Sequence, residues 1–269
     1  MGTATPWHES CGLPHNCVNE KNDQTVLLIH GAFGSRADWD LVAPHLTTYH
    51  LLISDLLSHG AAQHMQPFSE GYAADLLAML VAKKAHGSKA HVVGWSLGAS
   101  IATSLASRHP TVVNSVVITG YGRLLRTRFT PCLPYALWIE QRIENMMPRS
   151  VVRWLTDGAD LKPADTKLMT TELNRQIFVD GMSDDAWPSS WPAKTLIIAA
   201  TKRGIIPSDD NADTAKRLAA IGSQTNKETY AVAHAGMRHP WPRQSPVLSA
   251  ETVRSFLTVQ GLPEAYQRL

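Results

Sequence analysis

Short, nearly all-apolar runs alternate along this chain with longer segments whose apolar residues recur every three or four positions, and this alternation limits the fold more than any other feature. The runs span 25–30, 51–55, 91–95, 112–119, 195–200 and 228–232. A strand with one wet face would alternate apolar and polar residues, so runs apolar on both faces require cover on both sides. Segments 72–85 and 97–108 carry the helical period and supply that cover. The strand–helix–strand order predicts an α/β fold, a mostly parallel sheet flanked by helices.

The rhythm breaks once, between Gly122 and Pro192, where no convincing strand occurs. Helix-like stretches around 133–146, 151–155 and 164–178 are punctuated there by Pro148, Gly158 and Pro163. The expectation is a core made of residues 1–122 and 192–269, with an inserted helical cap over 123–191. Trp138, Trp154, Trp187 and Trp191 lie in this segment with Met146, Met147, Met169 and Phe178. Such residues mostly bond a cap to its sheet. Some also line an apolar pocket, and Trp138, Trp154, Phe33 and Trp95 are the candidates.

The remaining bulk properties narrow the partners. A net charge of +2 is too small to imply a nucleic-acid or anionic-membrane footprint. No apolar run approaches the roughly 20 residues needed to cross a bilayer. The polar stretch 1–24 lacks the pattern of a signal peptide, and a cytoplasmic protein acting on a small apolar molecule is expected. Cys11, Cys17 and Cys132 are odd in number and unpatterned, which fits a reducing compartment. Cys11, Cys17 and His15 imitate part of a metal site but lack an evident fourth ligand, so neither metal nor cofactor is expected. Arg123, Arg126 and Arg128 at the cap entrance read as an exposed basic edge, or as a grip for an acidic substrate group.

Chemistry enters with Gly94-Trp95-Ser96-Leu97-Gly98, between an expected strand and a helix rich in small residues. A serine in a tight strand-to-helix turn projects its hydroxyl, and flanking glycines allow close backbone approach. The bland reading is an ordinary loop with an inert serine. His30-Gly31 ends the first run, where His30 suits a loop-fixing hydrogen bond to backbone better than catalysis.

With Leu28-Ile29-His30-Gly31, Asp55 and the serine pentapeptide, the chain resembles the α/β-hydrolase superfamily over about residues 25–257. The resemblance implies a serine, acid, histidine triad in that order and hydrolysis of an ester, thioester or related bond. It implies an oxyanion hole from the backbone N–H groups of Leu97 and Ala32, and a structural role for Asp55. Relatives place the histidine seven positions before a proline that opens the final helix, which selects His239, ahead of Pro246, over His234. The chain lacks a clear pair of strands before residue 25, so its sheet is expected to start late.

The acid departs from the pattern. Relatives carry an aspartate where Thr201-Lys202-Arg203-Gly204-Ile205-Ile206-Pro207 has Arg203, and the alternative place reads Gly120-Tyr121-Gly122. A guanidinium cannot accept an imidazole N–H. Asp209 is taken as the acid, with Asp210 beside it, although Ser208-Asp209-Asp210 also resembles a helix N-terminus. A serine–histidine dyad is the second explanation. The third is a non-hydrolytic cyclase or condensation enzyme of secondary metabolism, with His239 as base and an enolate in the oxyanion hole. A binding protein that has lost turnover completes the set, because one fold hosts many functions.

Overall fold

The computed structural model describes residues 12–122, 126–163, 165–180, 187–203, 208 and 210–269. Eight strands form one sheet: β1 (His15–Val18), β2 (Thr25–Ile29), β3 (His50–Ser54), β4 (Ala90–Trp95), β5 (Val113–Thr119), β6 (Lys194–Ala200), β7 (Tyr230–His234) and β8 (Tyr266–Arg268). Their spatial order is β1-β3-β2-β4-β5-β6-β7-β8. The six inner strands run parallel, while β1 and β8 pair antiparallel at the two edges. The sheet therefore begins before residue 25, which corrects the expected late start. His15, Asn16 and Cys17 form β1 as a half-exposed edge whose pairing with β3, rather than apolar content, holds it in place.

Eight α-helices accompany the strands among the described residues: α1 (Glu70–Lys84), α2 (Leu97–Arg108), α3 (Leu133–Met146), α4 (Arg149–Leu155), α5 (Thr171–Arg175), α6 (Ala212–Gly222), α7 (Trp241–Gln244) and α8 (Pro246–Leu257). Successive residues of each inner strand point to opposite faces. Leu27 and Ile29 thus join the core formed with α1, α2 and α6. Val26 and Leu28 join Trp39, Trp241 and the α8 residues Val253 and Phe256 on the other face. This two-sided burial is what the continuous apolar runs anticipated.

Between β5 and β6 the described residues contain α3, α4 and α5 and no strand. The helix expected over 164–178 is shorter than its periodicity suggested. Ala164 lies outside the described residues, 165–170 is not helical, and α5 starts only where Thr170 caps the Leu173 N–H at 3.0 Å. A π-helical turn over Gln176–Asp180 follows. Trp191 is fully buried in the core and donates to Thr195 Oγ1 at 2.7 Å, and Trp187 stacks on Tyr121. Both belong to the gluing class. Among the described residues no helix is long and apolar enough to cross a membrane.

Two buried histidines, His30 and His59, and the half-buried His91 tie stability to pH. Burial holds His30 and His91 down to about 4 and His59 to about 3. An unfolded chain takes up protons at these positions once the pH falls below about 6.5, while the folded chain stays neutral until much lower pH. Stability is therefore fully present above about pH 6.5 and is lost as the pH falls from there toward about 4. The thermal midpoint is expected to drop between about pH 7 and about pH 5, and an unchanged or rising midpoint over that interval would contradict this assignment.

Candidate active site

Ser96 sits between the last residue of β4 and the first of α2, at φ 57° and ψ −120°. A left-handed φ at a non-glycine residue costs energy and persists only where the surroundings enforce it. They do so here through contact at two glycines. A Cβ on Gly94 would collide with the Gly98 carbonyl, and one on Gly98 would meet the Ile29 carbonyl and lie 2.7 Å from the His30 oxygen. The Ser96 N–H donates to Thr119 O at 2.9 Å, fixing the turn to β5. The N–H of Leu97 opens α2, where the first turn has no intrahelical acceptors.

The loop after β2 lies against this turn, since a Cβ on Gly31 would approach Ser96 Cβ to 3.3 Å. His30 governs the loop. It accepts from the Leu56 N–H at 3.0 Å through Nε2, so its proton is on Nδ1, which donates to Gly31 O at 2.7 Å. Asp55 braces the same region by accepting from the Arg36 N–H at 2.7 Å, the Arg36 guanidinium and the Ala61 N–H at 2.9 Å. Both residues hold loops together.

His239 lies in the loop between β7 and α7, with Nδ1 2.6 Å from Asp210 Oδ1. The other oxygen, Oδ2, accepts from the Ala200 N–H at 2.8 Å, so the carboxyl is anchored to the end of β6 and its side chain is only 2% exposed. Donation from Nδ1 to this carboxylate leaves Nε2 as the basic nitrogen. Trp95 Nε1 donates to His239 O at 3.0 Å and steadies the loop. Gly120 has φ 69°, and a Cβ there would lie 2.7 Å from His239 Cε1. The place that lacks an acid in the sequence is thus where the imidazole packs.

The carboxylate in contact with His239 is one residue beyond the expected Asp209, which lies outside the described residues. Two observations explain the shift. Asp210 folds back onto Ala200, so the loop returns to the strand end after Arg203, which is exposed, has passed. The helix-capping role suggested for the neighbouring acids belongs to Asn211, whose side chain accepts from the Asp213 and Thr214 N–H groups at 2.8 and 3.1 Å. His234 ends β7, accepts from Gly236 N at 3.2 Å and packs edge-on to Tyr266.

Ser96, His239 and Ala32 line one cavity of about 670 Å³. Its far wall comes from α3 and α4, with Ile139, Ile143, Met147, Val152 and Leu155 supplying apolar surface. Asp38, Glu140 and Glu144 also face it, a feature the sequence reading missed, and burial raises the carboxyls of Asp38 and Glu144 above their usual range. The signal was present in α3, where Ala136, Ile139, Glu140, Ile143 and Glu144 recur at helical spacing, with Met147 at its C-cap.

Of the expected pocket residues, Trp95 lines the cavity and three do not. Trp154 is 74% exposed because its neighbours on α4, Val152 and Leu155, take the inner face. Trp138 carries the Arg142 guanidinium 5.2 Å from its ring centroid. Phe33, at φ 58°, turns toward Phe178 and His59. Arg126 and Arg128 are exposed, as expected of a basic edge, whereas Arg123 and Cys11 lie outside the described residues.

The α/β-hydrolase family model matches residues 26–253, and the chain belongs to that family. An AB hydrolase superfamily protein of Gibberella zeae is 34% identical over 251 residues, covering 91% of this chain and 83% of that one. A pimeloyl-[acyl-carrier protein] methyl ester esterase of Neisseria meningitidis is 39% identical over 95 residues, only 35% of each chain. Among solved structures, a marine microorganism esterase superposes with TM-score 0.66 at 16% identity, covering 92% of this chain and 100% of the other. A lipase-esterase related protein of Clostridium acetobutylicum gives 0.64 at 18% identity, covering 91% and 100%. At those identities the structural matches speak to the fold.

Proposed function

We propose that the protein is a serine hydrolase acting on a hydrophobic ester, thioester or lactone through an acyl-enzyme. The observation that carries this reading is the bond between His239 Nδ1 and a buried, doubly bonded Asp210, with Ser96 on the wall of the same cavity. His239 Nε2 takes the Ser96 proton as Oγ attacks the carbonyl carbon, and the N–H groups of Leu97 and Ala32 hold the developing oxyanion. The imidazolium then protonates the leaving alcohol or thiol. Water, deprotonated by the same nitrogen, releases the acid and restores Ser96. In this scheme residues 123–191 act as a cap whose α3 and α4 receive the apolar part of the substrate.

The relative named as a pimeloyl-[acyl-carrier protein] methyl ester esterase supports the ester class. The non-hydrolytic reading drew on an unfilled acid position, and the Asp210–His239 bond removes that motive. A fluorophosphonate probe is expected to label the wild-type protein and not Ser96→Ala. An unlabelled wild type that also leaves p-nitrophenyl esters of every acyl length intact would overturn the proposal.

A further inference from the structure

Among the described residues, seven of the eleven large apolar side chains that remain exposed fall between Phe129 and Trp154. They are not scattered. On α3, Tyr135, Ile139, Ile143 and Met146 follow one another at spacings of four, four and three, one stripe of a helix. On α4, Val151 and Trp154 face outward while Val152 is buried and Leu155 lines the cavity. Ile139 and Ile143 do both, lining the cavity while staying 51% and 57% exposed, so the apolar surface runs from the cavity mouth onto the outside. Exposed apolar surface of this extent marks an interaction site.

Charge says what kind. Arg126, Arg128, Arg142, Arg149 and Arg153 are all exposed within the same segment. Its acidic residues up to Leu155 are Glu140 and Glu144, both of which line the cavity, Glu140 while remaining exposed, so exposed arginines outnumber exposed acids there by five to one. A second copy docking face to face would oppose arginine with arginine. An anionic lipid surface would meet arginines around an apolar, tryptophan-bearing helix face, the composition of helices that lie in a membrane interface.

We propose that α3, α4 and the turn before α3 dock this protein on an anionic lipid–water interface, with the cavity mouth turned to the lipid. Apolar substrate then reaches Ser96 from the lipid without crossing water. Docking itself does not depend on the hydrolase reading, and the experiment therefore uses Ser96→Ala protein, which separates binding from turnover. Flotation with phosphatidylcholine vesicles containing phosphatidylglycerol is expected to carry the protein, and added salt to release it. In the same background Trp154→Ala should lower the partition about tenfold and Arg153→Gln about fivefold. Met79→Ala, an exposed methionine on α1, should leave it unchanged. Both cap residues are exposed, so an unchanged thermal midpoint verifies that the variants fold. Equal binding to pure phosphatidylcholine, no binding to either vesicle, or a dimer in solution that Trp154→Ala dissociates would each overturn the proposal.

Discussion

Asp210→Asn is expected to lower kcat by about four orders of magnitude while leaving KM and the thermal midpoint nearly unchanged. The size follows from how the carboxyl is used. Its two oxygens accept from two different donors, His239 Nδ1 and the Ala200 N–H, at 2.6 and 2.8 Å. Asparagine has one accepting oxygen and one donating nitrogen. If its oxygen stays on Ala200, the amide N–H₂ faces Nδ1, and the imidazole must move its proton to Nε2. His239 is then no longer a base toward Ser96. If the amide flips, two donors oppose each other at the strand end. The shape of the side chain is otherwise kept, so the loss falls on turnover. The readouts are steady-state kinetics on an ester substrate, thermal unfolding and the parallel Asp209→Asn variant. A loss confined to Asp209→Asn would move the acid back to the neighbouring position, and a fall of less than about tenfold in both would leave a dyad.

That one-residue difference shows where sequence reasoning reaches and where it stops. The inner strands were legible because burial on two faces demands continuous apolar runs, and β2 to β7 lie within about two residues of those runs. The Gly94 to Gly98 turn was legible because its glycines answer to backbone contacts made within a short stretch of chain. β1 and β8 were not, since each is short, half exposed and held by a neighbour distant in sequence. The partner of His239 was legible only as a choice between the neighbours Asp209 and Asp210. Counting along the loop from β6 leads to Arg203, whereas Asp210 reaches the site through its bond to Ala200, a return of the chain that no local pattern encodes. The tryptophans misled in the opposite way. Large aromatic residues suggested a pocket, yet Trp154 is exposed, Trp138 is half-buried beside Arg142, and the smaller Ile139, Ile143 and Leu155 line the cavity with Ser96. Periodicity identifies a stripe on a helix but not which stripe turns inward.

Arg243→Met is expected to cost about 3 kcal/mol of stability, because hydrogen bonds from a charged donor contribute about 1.5–3 kcal/mol each and several are lost together. Arg243 lies on α7, four residues beyond His239, and forms a junction, with its side chain only 2% exposed. Its guanidinium donates to Asp38 O at 2.7 Å, to Asp40 Oδ1 at 2.6 Å and to the Asp160 carbonyl. It therefore joins the His239 loop to the segment that carries Asp38 on the cavity wall and to the turn that follows α4. Methionine keeps the apolar stem but is shorter and supplies no donor, leaving two carbonyls without it. Asp40 is less affected, because it is 43% exposed and retains Lys162 at 2.6 Å. For a chain of this size the loss corresponds to a fall in thermal midpoint of roughly 6–12 °C. Unlike Asp210→Asn, the change loosens the helical segment as well as the histidine loop, so KM should rise along with the fall in kcat. A variant with an unchanged midpoint would show that these elements hold together without the guanidinium, and the helical segment would then owe its position to apolar packing alone.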